Sequence, residues 1–462
     1  MALVQFSFGN FRSFKETATL SLVAASKLQG DLDLDRGNVF QARERPALNL
    51  LRVAAIYGAN ASGKSNTARA LGAFKRCVLE SANVGFQYAP PVFRLDTVSE
   101  KQPTSFEITF LRDTEEYSAV QYRYGFEIQK KAEQVEIIAE WLYEARTTTE
   151  ALLFERDGLV VKHGRHFGEG KALLTERKLG RADALFLSLM AQLGSPTASA
   201  LVTYVHDNVN VVLGISDERL HSFTVHCLEG DKHCDRIQSL MREADTGIPR
   251  VKLVKENAQD VEIKFPEGLS VSAELREQLT SSVLDKMRVV AEHPVFDEEG
   301  HQVGIADFPL TGEESQGTQK LFAYSGPILD TLERGGALIV DEMDARFHPL
   351  LTQALVRLFQ SPETNPKNAQ MVFITHDTNL LDSRRMRRDQ IWFVEKDRYG
   401  ASHLYALSDF KGIRKGDLFG EQYIQGRYGA IPFLGGLRRL FTDTLETEAA
   451  VSPAPEEDHA PA

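Results

Sequence analysis

The apolar residues fall into runs whose period changes along the chain, and each change predicts a different element. Residues 3 to 8 and 18 to 24 read as strands, separated by the polar turn stretch Asn10-Phe11-Arg12-Ser13-Phe14-Lys15. A third apolar run at 53 to 57 gives way to residues 66 to 81, where Ala70, Leu71, Phe74, Val78 and Leu79 recur at helical spacing. Short β-like runs follow at 105 to 110, 117 to 128, 135 to 142 and 151 to 154, broken by turn signals such as Arg156-Asp157-Gly158. They predict an antiparallel segment on the flank of a core. From 172 to 245 the pattern is mainly helical, clearest at 182 to 193 and 236 to 243, and strand-like pieces return near 250 to 264 and 287 to 309. Leu321, Phe322, Ile328, Leu329 and Leu332 predict a further helix, and the apolar runs 337 to 340 and 370 to 374 predict two buried strands.

A length of 462 residues exceeds one ordinary core. The patterns divide the chain into a first lobe at 1–171, a mainly helical insertion at 172–300, a second lobe at 301–442 and an acidic, Pro/Ala-rich tail at 443–462 that is expected to be disordered. Hydrophobic residues at 42% and charged residues at 26% place the chain among globular proteins. The net charge of -12 argues against a surface built throughout for nucleic-acid phosphates. The run Arg384-Arg385-Met386-Arg387-Arg388 is the best local basic patch, and such a run usually forms a solvated face. Three cysteines without paired spacing indicate neither a disulfide framework nor a zinc cluster, and Cys227 and Cys234 with His226 and His233 fit no common zinc pattern. No stretch approaches the ~18 apolar residues of a membrane span, so a cytoplasmic protein is expected.

The strongest chemical signal lies between the run at 53 to 57 and the helix after it. Gly58-Ala59-Asn60-Ala61-Ser62-Gly63-Lys64-Ser65 is a complete G-x-x-x-x-G-K-[ST] phosphate loop. Its glycines let backbone N-H groups face an anion, Lys64 supplies charge for the β- and γ-phosphates of ATP, and Ser65 offers a hydroxyl to Mg²⁺. A second signal ends the run at 337 to 340 in Asp341-Glu342, a Walker B arrangement in which Asp341 would hold Mg²⁺ and Glu342 would polarise the attacking water. The run at 370 to 374 ends in Thr375-His376-Asp377, where His376 could donate to the γ-phosphate. Between these lies Glu314-Ser315-Gln316-Gly317-Thr318, a serine and a glycine opening a helix and so a second anion-facing helix start. Two such starts in one chain are explained if Ser315 and Gly317 complete the nucleotide site of another copy, with ATP sandwiched between two protomers.

The order of these motifs resembles the ABC-type ATPase heads of the SMC, RecF and OLD group. More closely, the chain resembles prokaryotic AAA family ATPases of the abortive-infection type, the AbiL/RloA family, with the PARIS ATPase AriA and the Septu ATPase PtuA as relatives. The resemblance rests on Asn10 to Phe14, Ala55 to Asn66, Tyr122-Arg123-Tyr124-Gly125-Phe126, Glu314 to Thr318, Asp341 to Pro349, Thr375-His376-Asp377, Arg388 to Phe393 and Gln425-Gly426-Arg427-Tyr428-Gly429-Ala430. It implies a P-loop head with a mixed central sheet, an antiparallel β flank and a mostly helical inserted domain. It further implies roles for Gly58, Asn60, Ala61, Ser62, Gly63, Lys64, Ser65 and Asn66 on the nucleotide, for Ser315 and Gly317 on a trans γ-phosphate, for Glu342 in water activation and for His376 in γ-phosphate sensing. Asp344 to His348 would cross a dimer. The signature reads Ser-Gln-Gly-Thr instead of Ser-Gly-Gly-Gln, and Gln87 is a weak candidate for the Q-loop glutamine.

The resemblance implies a slow, regulatory ATPase whose nucleotide-driven homo-oligomerisation controls an effector encoded beside it in anti-phage defence. Nucleic acid stays open as a partner; a membrane does not. A RecF/SMC-like DNA-repair ATPase and an OLD-type nuclease component are the alternatives. Against the nuclease, few residues follow His376, and Val394-Glu395-Lys396-Asp397 lacks the glycine and later aspartates of a Toprim two-metal site. Arg181, Asp183 and Phe186 are expected on the first helix of the insertion, where ordinary packing accounts for them at least as well as a binding role.

Overall fold

A computed structural model describes residues 2–26, 32–42, 45, 48–114, 116–132, 134–165, 167–169, 180–214, 218–230, 233–255, 287–414 and 416–432. The tail expected to be disordered lies outside the described residues. Two sheets and the helix between them carry the fold. Strands β1 (Ala2–Gly9), β2 (Ala18–Ser21), β6 (Thr104–Arg112), β7 (Val120–Lys131), β8 (Gln134–Ala145), β9 (Ala151–Asp157) and β10 (Val160–His163) form an antiparallel sheet in the order β10-β9-β8-β7-β6-β1-β2. A short hairpin, β3 (Val39–Gln41) with β4 (Asn49–Leu51), follows helix α1 (Leu32–Asn38).

The central sheet has the order β11-β15-β16-β5-β17-β18, built from β5 (Val53–Gly58), β11 (Val209–Val212), β15 (Ala337–Val340), β16 (Gln370–Ile374), β17 (Ile391–Lys396) and β18 (Ser402–Ala406). Its pairs are parallel except β17 with β18. Every residue of β5 is buried: Ala54 and Ile56 join the core on one face, while Val53, Ala55 and Tyr57 join the core on the other. A sheet covered on both sides yields continuous apolar runs, which is why these strands read as uninterrupted hydrophobic segments.

Helix α2 (Lys64–Glu80) fills the space between the two sheets. Within an aromatic cluster, its Phe74 ring lies 5.9 Å from Phe6 and 6.1 Å from Tyr124, both edge-on, and 5.6 Å from Phe126, on which it stacks. Gln370 joins the sheets directly: its carbonyl accepts from Leu3 N at 2.6 Å, and its amide donates to Leu3 O at 2.9 Å and Leu51 O at 3.0 Å.

The region expected to be helical contains α3 (Phe186–Gln192), α4 (Pro196–Asn208), α5 (Glu218–Glu229) and α6 (Cys234–Glu243). It is anchored to the antiparallel sheet by Glu140, a fully buried carboxylate that accepts from Phe186 N at 2.6 Å, Leu187 N at 2.9 Å and Tyr124 OH at 3.0 Å, with Arg156 at 3.5 Å. Burial holds the Glu140 carboxyl above its ordinary range. One expectation is corrected here. The stretch 172–300 is not a helical insertion throughout, because Val209–Val212 leaves α4 to become the edge strand of the central sheet beside β15. Four residues at the end of a helix carry too little periodicity to be read as a strand.

The strand-like pieces after α6 form an antiparallel sheet, β12 (Arg250–Lys255), β13 (Met287–Phe296) and β14 (Gln302–Pro309), and the expected boundary at 300/301 falls in the turn of its β13–β14 hairpin. The kinked turn α7 (Leu310–Glu313) then leads into α8 (Gln316–Arg334), followed later by α9 (Pro349–Gln360) and α10 (Phe419–Ile424). Proline 327 lies inside α8 and lacks the N-H that would reach Ala323 O. The buried Thr224 hydroxyl of α5 donates to that carbonyl at 3.0 Å and accepts from Gly326 N at 3.2 Å, which keeps the helix satisfied. Among the described residues no helix is long and apolar enough to cross a membrane.

Candidate functional site

The order β15-β16-β5 places three strand ends side by side, and each ends in one of the predicted motifs. Beyond β5 the loop Gly58 to Ser65 curls over the start of α2, with Ser62 N bonded to Ala59 O at 3.2 Å and Asn66 N to Gly63 O at 2.9 Å. Asn60 and Ala61 are exposed at its tip, and Ala61 has a positive φ of 61°. Gly63 has φ of 109°, and a Cβ there would come within 2.4 Å of Ser402 Oγ and 2.6 Å of Ser13 Oγ. Only glycine fits that position. The Lys64 ammonium donates to Gly58 O and Ala59 O, each at 2.8 Å. Burial lowers its pKa to about 8, against the opposing pull of Asp341, Asp344 and Glu342.

Two serines far from the motif brace the loop from behind. Ser402 Oγ donates to Ser62 O at 2.5 Å and bonds Ser13 Oγ at 2.8 Å, Ser402 N donates to Ser13 O at 2.7 Å, and Asn66 Nδ2 donates to Ser13 Oγ at 2.8 Å. Ser13 belongs to the Asn-Phe-Arg-Ser-Phe stretch, but no sequence signal singled out Ser402.

Asp341 emerges from β15 almost fully buried and accepts from Ser65 Oγ at 2.9 Å. Desolvation raises its pKa, with the Ser65 hydroxyl and Arg69 acting the other way. A hydroxyl and a partly desolvated carboxylate side by side are hard oxygen donors of the kind Mg²⁺ takes. The next residue, Glu342, has a positive φ of 54°, an uncommon conformation for a non-glycine residue. Met343 N then bonds Ile374 O at 3.0 Å, and Asp344 accepts from His376 N with both oxygens at 3.3 Å. These bonds lock the turn after β15 to the end of β16. His376 stays exposed in the cleft, and its pKa is lowered first by desolvation and then by Lys64, which favours the neutral imidazole at pH 7.

Lys64, Ser65, Asp341, Glu342, Asp344 and His376 therefore converge, whereas Ser315 and Gly317 start a separate helix. Ser315 caps α8 by accepting from Thr318 N at 3.1 Å, and it is exposed. Gly317 approaches the turn after Glu342 so closely that a Cβ would lie 2.8 Å from Arg346 O. Among the described residues no hydrogen bond joins Ser315 to the phosphate loop of its own chain. Lys320, one turn further into α8, donates to Glu342 O and Ala345 O at 2.8 Å each.

A family model described as "AAA domain, putative AbiEii toxin, Type IV TA system" matches residues 53–382. The chain belongs to this AAA family. The match runs from the strand before the phosphate loop to just past His376, so an AAA-type ATPase domain accounts for all three strand-end motifs. Among solved structures, the "SMC head domain from Thermotoga maritima" is similar at 14% identity, covering 88% of this chain and 99% of that chain with a TM-score of 0.38. No curated protein matches.

Other candidates resolve into structural roles. In the basic run, Arg387 is buried between Asp389 and Asp35 and Arg388 donates to Ile413 O at 2.7 Å, so these two are tied into the fold, whereas Arg384 pairs with Asp382 at 2.9 Å and stays exposed. Arg181 and Asp183 precede α3 and do not lie on it: Arg181 ties Asp183 to Ala82 O, and Phe186, the first residue of the helix, is buried. Cys227 is buried, His233 pairs with Glu333 at 3.0 Å, and among the described residues neither joins a set of three or more His, Cys, Asp or Glu side chains placed to hold a metal ion. Gln87 is exposed on the coil after α2.

Proposed function

We propose that the chain is an ABC-type ATPase head of the AbiL/RloA kind, related to AriA and PtuA. Two copies enclose ATP, and their nucleotide-dependent pairing senses a trigger and controls a separate effector in anti-phage defence by abortive infection. The observation that carries this reading is the clasp of Ser65 on Asp341 beside Glu342 and His376, joined through the 342–346 turn to an exposed, Ser315-capped helix start.

In this reading the loop N-H groups of Asn60 to Ser65 cradle the phosphates and Lys64 bridges the β- and γ-phosphates. Ser65 and Asp341 would hold Mg²⁺, which when bound offsets phosphate charge. Glu342 takes the proton of the attacking water, His376 donates to the γ-phosphate, and Ser315 with the N-H groups beside Gly317 reaches the γ-phosphate held by the other copy. Hydrolysis removes the charge that bridges the two copies, and a difference of a few kcal/mol is enough to shift a two-state assembly.

The test compares wild type with Glu342→Gln. Hydrolysis should fall by roughly 10²–10⁴-fold while ATP binding persists, and light scattering after size exclusion should show a dimer that wild type forms only transiently. Co-purification with the product of the neighbouring gene should then depend on ATP. A Gln variant that neither retains ATP nor changes its assembly state would sink the reading.

A further inference from the structure

We infer that Lys320 is a positioning residue that couples the start of α8 to the Glu342 carboxylate, an inference that rests on the ATPase reading above. Lysines in amphipathic helices ordinarily point to water, yet Lys320 is only 4% exposed. Its ammonium lies 4.9 Å from the centre of the Tyr324 ring and 4.8 Å from that of Phe347, so two aromatic faces help to hold the cation. It donates at 2.8 Å to the carbonyls of Glu342 and Ala345, with Met343 O at 3.5 Å.

Those carbonyls belong to the turn in which Glu342 adopts its positive φ and Asp344 receives His376 N. A backbone conformation of this kind persists only where surrounding contacts over-determine it. Lys320 supplies such contacts from a helix whose first residues, Ser315 and Gly317, would touch the nucleotide of the other copy. A shift of α8 on trans contact therefore moves the ammonium, and with it the carbonyl of Glu342. The device lets engagement at one site set the geometry of the base at the other, and Gly317, packed against Arg346 O, transmits the same movement.

Steady-state kinetics of full-length Lys320→Met, Lys320→Arg and Glu342→Gln test this. The Met variant keeps the aliphatic stem and removes the charge and donors. Its kcat should fall roughly thirtyfold to a hundredfold, as a small misplacement of a reacting group costs, with KM for ATP within about twofold of wild type. Lys320→Arg, still cationic and able to donate to the turn carbonyls, should recover at least about a third of the lost rate on a logarithmic scale. A Met variant with kcat within about threefold of wild type, or one that changes KM alone, overturns the inference. If Lys320→Met does not fold, Phe347→Leu decides: a kcat lower by about threefold to tenfold at unchanged KM upholds the coupling, and a wild-type kcat overturns it. An active Glu342→Gln enzyme would instead overturn the ATPase assignment of Glu342, so the two failures are distinct.

Discussion

Lys64 carries a charge that the fold makes conditional on pH. Burial depresses its pKa to about 8, well below the ordinary 10.5, despite three neighbouring carboxylates. The perturbation is a pH change from 7 to 9 in the nucleotide-free protein. At pH 8 about half the molecules keep the ammonium, and at pH 9 roughly a tenth do. ATP stabilises the protonated form, so binding should draw in roughly half a proton per nucleotide at pH 8 and close to one at pH 9, with affinity falling about tenfold between pH 7 and 9. The assay is titration calorimetry at pH 9 in two buffers of different ionisation enthalpy, where the phosphates of ATP are already fully ionised. Lys75 is an internal control. Its pKa is also lowered to about 8, but it donates to His206 O and Val209 O, away from the loop, so Lys75→Met should leave the coupling intact. The sign for stability follows from the same depression: between about pH 8 and 10.5 the unfolded chain binds more protons at Lys64 than the folded one, so this residue favours folding increasingly as pH rises through that window. Proton uptake of zero at pH 9 with undiminished affinity would refute the reasoning.

Mixing Lys64→Ala protein with Ser315→Arg protein, each inactive alone, should restore ATPase activity to at most about a quarter of the wild-type rate, because half the dimers are mixed and each holds one intact composite site, and to less than that because the α8 beside the intact site's own Glu342 lacks its trans contact; a mixture no more active than the separate variants would exclude the trans site. Removing the Ser402 hydroxyl as Ser402→Ala deprives Ser62 O of its 2.5 Å donor, and we expect a loss of roughly 1–3 kcal/mol in denaturant titration together with a raised KM for ATP. Phe74→Ala, in the centre of the aromatic cluster, should lower stability by about 3–5 kcal/mol, read as a reduced denaturant midpoint at unchanged m-value.

The strands that deliver the site were legible because both faces of the central sheet are buried, so Ala337 to Val340 and Gln370 to Ile374 appear as unbroken apolar runs. The phosphate loop was legible because its spacing is itself the mechanism. What escaped depends on distant pairing. Ser402 reaches Ser13 across 389 positions of sequence, and nothing local to either marks the contact. Val209–Val212 is a strand only because β15 lies beside it, and Lys320 reads as a surface lysine until the turn after Glu342 folds over it. The helix-capping role of Glu140 is equally silent, since a glutamate in an alternating strand normally faces water.

The strand that leads into the phosphate loop pairs with β16 on one side and β17 on the other, and Gln370 closes the first strand onto the central sheet. A ribosome must therefore extend the chain past Lys396 before β5 gains both neighbours. Until then a fully apolar strand has no completed sheet to enter, and its pairing waits on segments more than three hundred residues downstream. Late closure of this kind makes maturation slow and exposes the nascent chain to aggregation. It also means that translation products lacking β17 cannot complete the sheet that carries the phosphate loop, so the pocket forms only once synthesis has passed Lys396.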